Sequence, residues 1–133
     1  NKFYNSPNIT DLIRIIVNKV CSEEIFKTDE KIHLKKYESS MKKINFILVD
    51  GLGSKNIENL DNILTQNQTD EIVSTFPSST SVALGSVNFG SDPIENGLIG
   101  YYHFDKSENK LINTLNWRGS ENYLQDKKLC LKI

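Results

Sequence analysis

Histidine, cysteine, arginine and tryptophan are scarce in this chain, with two, two, two and one among 133 residues. Two histidines are too few to complete a two-metal centre by themselves. Cys21 and Cys130 stand 109 positions apart without metal-type spacing, which excludes a disulfide framework and predicts two buried free thiols. Long hydrophobic runs are also missing; the longest, such as Ile15–Val17 and Phe46–Val49, are far too short for a membrane-spanning helix. Charge of one sign is not in excess. Sixteen basic residues face 17 acidic ones, for a net charge of −1 and a pI near 6.2. That balance excludes strong electrostatic attraction to a nucleic-acid polymer or an anionic membrane. The chain opens at Asn1 with neither Met nor a basic-then-apolar leader. The expectation is a cytoplasmic protein whose true start lies upstream.

What is present is ordinary for a globular protein. Apolar residues make up 38%, and a chain of this size buries roughly two-thirds of its unfolded surface. The reading is one domain. Asn and Ile occur 15 times each and Lys 14 times, a coding bias rather than a functional signal. The sequons Asn8-Ile-Thr10 and Asn67-Gln-Thr69 carry little weight without a secretory leader.

Along the chain, residues 1–9 read as an irregular lead-in. Asn8 or Thr10 then caps a helix to about Ser22, with Leu12, Ile16 and Val20 on one face and Ile13 and Val17 beside them. Residues 23–43 are charged and weakly periodic, and a second helix there would use Ile25, Ile32, Leu34 and Tyr37. The apolar run 44–49, ended by Asp50-Gly-Leu-Gly53, predicts a strand buried on both faces, as in a parallel sheet, with Phe46, Leu48, Val49, Ile72 and Val73 in its core. Ser54 would cap a helix to about Gln66 whose inner face is Ile57, Leu60, Ile63 and Leu64. Glu71–Phe76 reads as the next strand, which completes a βαβ unit. A helix over Ser81–Phe89 follows, stopped by Gly90, Ser91, Asp92 and Pro93. Beyond Gly97 come Gly-Tyr-Tyr-His-Phe104, a turn around Asp105–Asn109 and a polar tail. The fold class is α/β.

Two places could carry chemistry. Asp50 closes the first strand at its carboxyl end, where open parallel sheets bind ligands. A carboxylate there can hold a divalent metal, accept a phosphoryl group or cap the next helix. The segment lacks the third glycine of a dinucleotide fingerprint, because Asn56 stands in its place. No GxxxxGK[ST] phosphate loop occurs, and Leu52 breaks an Asp-x-Asp pair. The second place is Ser78-Ser-Thr-Ser81. Hydroxyls at a helix start meet backbone N–H groups and the positive end of the dipole, which favour a phosphate or a nucleophilic oxygen. Taken alone, such a cluster is more often an ordinary cap. His33 reads as solvated, His103 as packed among aromatics, and Trp117 with Arg118 as a stacked pair or a core plug.

Together, three stretches resemble the alkaline phosphatase superfamily, and within it the type I phosphodiesterase/nucleotide pyrophosphatase family. They are Phe46-Ile-Leu-Val-Asp-Gly-Leu-Gly53, Thr75-Phe-Pro-Ser-Ser-Thr80 with Leu84 and Gly90 behind it, and Glu95-Asn-Gly-Leu-Ile-Gly-Tyr101. A fourth, Leu111-Ile-Asn-Thr-Leu-Asn-Trp117, is similar to the family's LNTLRW-type segment. The likeness covers residues 44–118, and the first helix lies where prokaryotic members place theirs. It implies a partial alkaline-phosphatase-like three-layer sandwich with a mostly parallel central sheet. The chain then divides into an N-terminal helical segment (1–43), the metal-Asp and nucleophile half of the catalytic core (44–118) and a tail (119–133), as one incomplete domain.

The resemblance further implies a hydrolase of phosphodiesters, pyrophosphates or phosphomonoesters. Asp50 would ligate one of two divalent metal ions, usually zinc. The nucleophile, ten residues before a helix-ending glycine, would be Thr80, counted from Gly90. Thr75, counted from Gly85, is the other choice. The metal would activate the Thr80 hydroxyl for in-line attack, with a phosphothreonine intermediate. The implied partner is a small phosphorylated substrate, not a nucleic-acid polymer; oligomeric state is not written in the sequence. Asn96 replaces a histidine found in many relatives. In the family the other metal ligands lie well downstream of these motifs, so the resemblance implies an N-terminal fragment, inactive alone, and the expectation is an apolar sheet edge left uncovered. The alternative is a non-catalytic α/β module in which Asp50 and Thr80 are only turn and helix-cap residues. A phospho-accepting receiver domain ranks lower, because no upstream acidic pair follows a first strand. Sulfatase chemistry is disfavoured by the absence of Cys-x-Pro-x-Arg or Ser-x-Pro-x-Arg.

Overall fold

The computed structural model describes residues 6–28, 32, 43–59, 63–68, 70–107, 109–116, 118–119 and 122–123. Contacts divide the chain into two compact units, Asn1–Val73 and Ser74–Ile133.

The first unit is organised by helix α1, Ile9–Cys21. Local chemistry defines both of its ends. Asn8 is the N-cap: its Oδ1 accepts from the Thr10 and Asp11 N–H groups at 2.7 and 3.1 Å. Asp11 Oδ2 returns the favour by accepting from Asn8 N at 3.0 Å, a capping box that satisfies donors the helix cannot. The last turn ends at Ser22 in the left-handed region, φ 55°. Ile9, Thr10 and Ile13 are buried, Leu12, Ile16 and Val17 half-buried, and Val20 is exposed. The expected apolar face is thus anchored mainly by its first two turns. Asn8→Ala removes the cap and is expected to cost about 1 kcal/mol, read as a lower urea midpoint for loss of helical signal.

A clasp follows the helix. The Asn18 side chain donates to Phe26 O at 2.6 Å and accepts from Phe26 N at 2.9 Å, while Arg14 lies 6.0 Å from the centroid of the Phe26 ring. Residues 23–28 are not helical. Most of the second helix expected within 23–43, including His33, Leu34 and Tyr37, falls outside the described residues. Ile32 is buried.

Residues 43–49 carry no strand, and Phe46, Ile47, Leu48 and Val49 are all exposed, Ile47 at 82%. The expected core of Phe46, Leu48 and Val49 is therefore corrected, while Ile72 and Val73 are half-buried. The physical reason is pairing. An apolar run is buried on both faces only when strands flank it and layers cover it. Among the described residues none pairs with 43–49. Parallel pairing here is limited to an isolated bridge, Asn8–Val73, in which Ile9 N donates to Val73 O and Val73 N to Pro7 O. The rest of 71–76 has no ladder.

The single helix expected over 54–66 is two short ones, α2 (Ser54–Ile57) and α3 (Ile63–Gln66). Gly53, not Ser54, is the N-cap of α2. The sequence between them holds Asn59, Asp61 and Asn62, residue types with low helix propensity. Ile63 and Leu64 are exposed, so the expected inner face is not covered, and Leu60 lies outside the described residues. Cys21 is exposed rather than buried. It is the last residue of α1, beyond the buried first turns, and Cys130 is outside the described residues.

The second unit is built on helix α4, Thr80–Phe89, ended by Gly90 in the left-handed region at φ 60°. Its small residues let neighbours approach: a Cβ on Gly85 would lie 2.6 Å from Leu98 Cδ1. Gly85→Val should therefore cost about 1–3 kcal/mol through overpacking, seen as a lower unfolding midpoint. Helix α5, Pro93–Asn96, follows directly. A four-stranded antiparallel sheet in the order β1-β2-β3-β4 comprises β1 Tyr102–Asp105, β2 Lys110–Asn113, β3 Arg118–Gly119 and β4 Asn122–Tyr123. The turn expected around Asp105–Asn109 joins β1 to β2, with Phe104 opposite Leu111 and His103 opposite Ile112. Thr114 ties the base of the hairpin, its Oγ1 donating to Gly100 O at 2.6 Å and its N–H to Tyr101 O at 2.8 Å. Val82, Leu98 and Ile112 form the apolar core of this unit.

Candidate functional site

Asp50 belongs to the first unit and Thr80 to the second, so each has its own local geometry. Asp50 is exposed in a turn that continues into Gly51 at φ +70°. That conformation lies in the left-handed region, which L side chains rarely adopt, and Gly51 accepts it at no steric cost. Just beyond, Gly53 N donates to Asn56 Oδ1 at 2.8 Å and Ser54 Oγ to Glu71 Oε1 at 2.8 Å. These two bonds fix the loop that carries Asp50.

Thr80 is the first residue of α4 and is half-buried. The cap is its neighbour Ser79, whose side chain makes no capping bond and instead lies 3.4 Å from Ser81 Oγ. First-turn N–H groups of a helix lie outside its own ladder, so the Ser78–Ser81 hydroxyls share their surroundings with backbone donors and the positive dipole end. That combination suits an anionic phosphoryl group. The helix then runs from Thr80 to its left-handed stop at Gly90, the span counted in the sequence.

Thr75 lies before the helix and is more deeply buried. It is buried, with 5% of its surface exposed, and its Oγ1 donates to Pro77 O at 3.1 Å across the cis Phe76–Pro77 peptide. A hydroxyl committed to a backbone carbonyl and shut away from solvent is poorly placed to attack an incoming phosphate.

A cavity of about 80 Å³ opens along α4, lined by Ser81, Leu84, Asn88, Leu98 and Thr114 among others. Thr80 does not line it. Its room is enough for a few water molecules, not for a nucleotide.

The residues described do not make a metal centre by themselves. Among them, no three His, Cys, Asp or Glu side chains gather. Asp50 offers one carboxylate. His103 is exposed on β1 rather than packed among aromatics; its strand is at the edge of the sheet, where one flank has no neighbour in the ladder. His33 and Trp117 lie outside the described residues. No helix among the described residues is long and apolar enough to cross a membrane.

Sequence reasoning missed the Asn96 clasp. The Asn96 side chain donates to Ser91 O at 3.0 Å and accepts from Leu98 N at 2.8 Å. The Asn-Gly pair after a Pro-started turn was its only signal.

Compared with protein-family models, curated proteins and solved structures, the chain matches none of them.

Proposed function

We propose that this chain carries the nucleophile and metal-aspartate segments of a metal-dependent phosphodiesterase/nucleotide pyrophosphatase-type hydrolase, with Thr80 as nucleophile and Asp50 as ligand to one of two divalent metal ions. The observation that carries the reading is the contrast between the two threonines: Thr80 opens a ten-residue helix, whereas the Thr75 hydroxyl is buried and bonded to Pro77 O. In this reading Thr80 Oγ bonds to phosphorus as the ester oxygen opposite departs. The Thr80 proton passes to solvent base, and water later cleaves the phosphothreonine. The N–H groups of the first turn of α4 share the phosphate charge. Zinc or a similar ion, held in part by the Asp50 carboxylate, would supply Lewis acidity.

The partial three-layer sandwich belongs to the same proposal. Exposure of Phe46–Val49 fits a strand whose sheet partners come from elsewhere. The non-catalytic α/β module keeps one point in its favour, the exposed turn at Asp50, but Thr80 is not the cap that this alternative needs.

Metal binding separates the two readings. Titration of the complete protein with zinc and manganese, followed by assay on a chromogenic phosphodiester, should show saturable binding and metal-dependent turnover. The 133-residue chain alone should turn over nothing. A complete protein with no affinity for either metal would favour the module.

A further inference from the structure

Asn96-Gly97 is the one Asn-Gly pair in the sequence, and the fold holds it under three separate bonds. We propose that Asn96 is a deamidation site kept closed by this clasp, and that its conversion to aspartate releases the Ser91–Leu98 turn. The chemistry needs only water. The Gly97 backbone nitrogen bonds to Asn96 Cγ, the Cγ–Nδ2 bond breaks, and nitrogen leaves as ammonia with the proton from Gly97. Water then adds across one C–N bond of the cyclic imide, leaving aspartate or isoaspartate. Glycine favours ring closure, because it has no Cβ to crowd the attacking nitrogen, and nothing lies within 4 Å of the Cβ position of Gly97.

In the folded chain both reacting groups are occupied. Gly97 N donates to Pro93 O at 2.9 Å. Asn96 Nδ2 donates to Ser91 O at 3.0 Å, and Oδ1 accepts from Leu98 N at 2.8 Å. Asn96 is the last residue of α5, and Gly97 follows at φ +75°. Attack requires the Gly97 N–H to leave Pro93 O and the Asn96 amide nitrogen to leave Ser91 O. The aspartate product cannot restore the bond to Ser91 O: a carboxylate still accepts from Leu98 N, but it has no hydrogen for Ser91 O and places charge beside that carbonyl. The reaction is therefore a one-way change in the turn that seats Leu98 against Gly85.

The test is peptide mapping by mass spectrometry after incubation at mildly alkaline pH, folded and in urea. With the bonds to Pro93 O and Ser91 O to open, Asn96 should convert at least about tenfold more slowly in the folded chain. Glu95→Ala, which removes the acceptor that Asp92 N uses at 2.8 Å, should loosen α5 and raise the folded rate several-fold. Asn96→Asp, the product mimic, should speed hydrogen exchange at the Gly97 amide, whose bond to Pro93 O lies inside the released turn. Equal rates in folded and unfolded chains, or a folded rate indifferent to Glu95→Ala, would overturn the proposal. So would unchanged exchange at Gly97 in Asn96→Asp.

Discussion

Replacing Thr80 by alanine in the complete protein should lower phosphodiester hydrolysis by roughly 10³–10⁶-fold, the scale on which removal of a covalent nucleophile acts. Thr80→Ser keeps a hydroxyl, now primary rather than secondary, at the same helix position and should keep part of the activity. Thr80 is the first helical residue and Ser79 the N-cap, so Thr80→Ala leaves the cap residue unchanged and should leave the helix in place. Thr75→Val makes the opposite pattern. It deletes the bond to Pro77 O while keeping the side-chain volume, so it should cost about 1–2 kcal/mol of stability with turnover retained at low temperature. Steady-state rates and urea midpoints of the three variants check this together. Full activity in Thr80→Ala with loss in Thr75→Val at equal stability would move the nucleophile to Thr75.

The second large effect is expected at Asp50. Asp50→Asn replaces an anionic ligand by a neutral amide, a poorer partner for a divalent cation. In the complete protein it should remove one bound metal equivalent and cut turnover by about 10²-fold or more. The turn itself should survive, because Gly51 supplies the positive φ and asparagine is at home in turns. Calorimetric metal stoichiometry and turnover are the readouts. Wild-type values for both would make Asp50 a turn residue only.

What the sequence made legible divides along the range of the interactions. Helix α1 was readable because its signals are local: an Asx cap at Asn8, an acidic residue three positions on, and apolar residues at helical spacing. Helix α4 was readable for the same reason, with hydroxyls before it and Gly90 after it. The hairpin turn between β1 and β2 was marked by Asp105, Ser107 and Asn109; Asp105 Oδ1 accepts from both Ser107 N and Ser107 Oγ. The run 44–49 has equally strong β propensity, yet a strand is defined by its neighbours, and those are non-local. Ile47 at 82% exposure shows propensity without partners. The 54–66 segment failed for a different reason: its apolar spacing suits a helix, but Asn59, Asp61 and Asn62 sit in the middle of it. At the candidate site, the residue types and their order were legible. Thr80 was also legible as the helix-start hydroxyl, but the bond that holds the Thr75 hydroxyl to Pro77 O was not, because it depends on the local backbone path.

The measurement that bears most directly on the account is the position of a trapped phosphate. The complete protein, supplied with zinc and a phosphomonoester or nucleotide substrate and quenched in acid, would be digested and sequenced by mass spectrometry over residues 70–92. The account predicts phosphate on Thr80, absent in Thr80→Ala and present in Thr75→Val. Phosphate on Thr75, or efficient metal-dependent hydrolysis with no phosphorylated residue in that segment and full activity in Thr80→Ala, would contradict it.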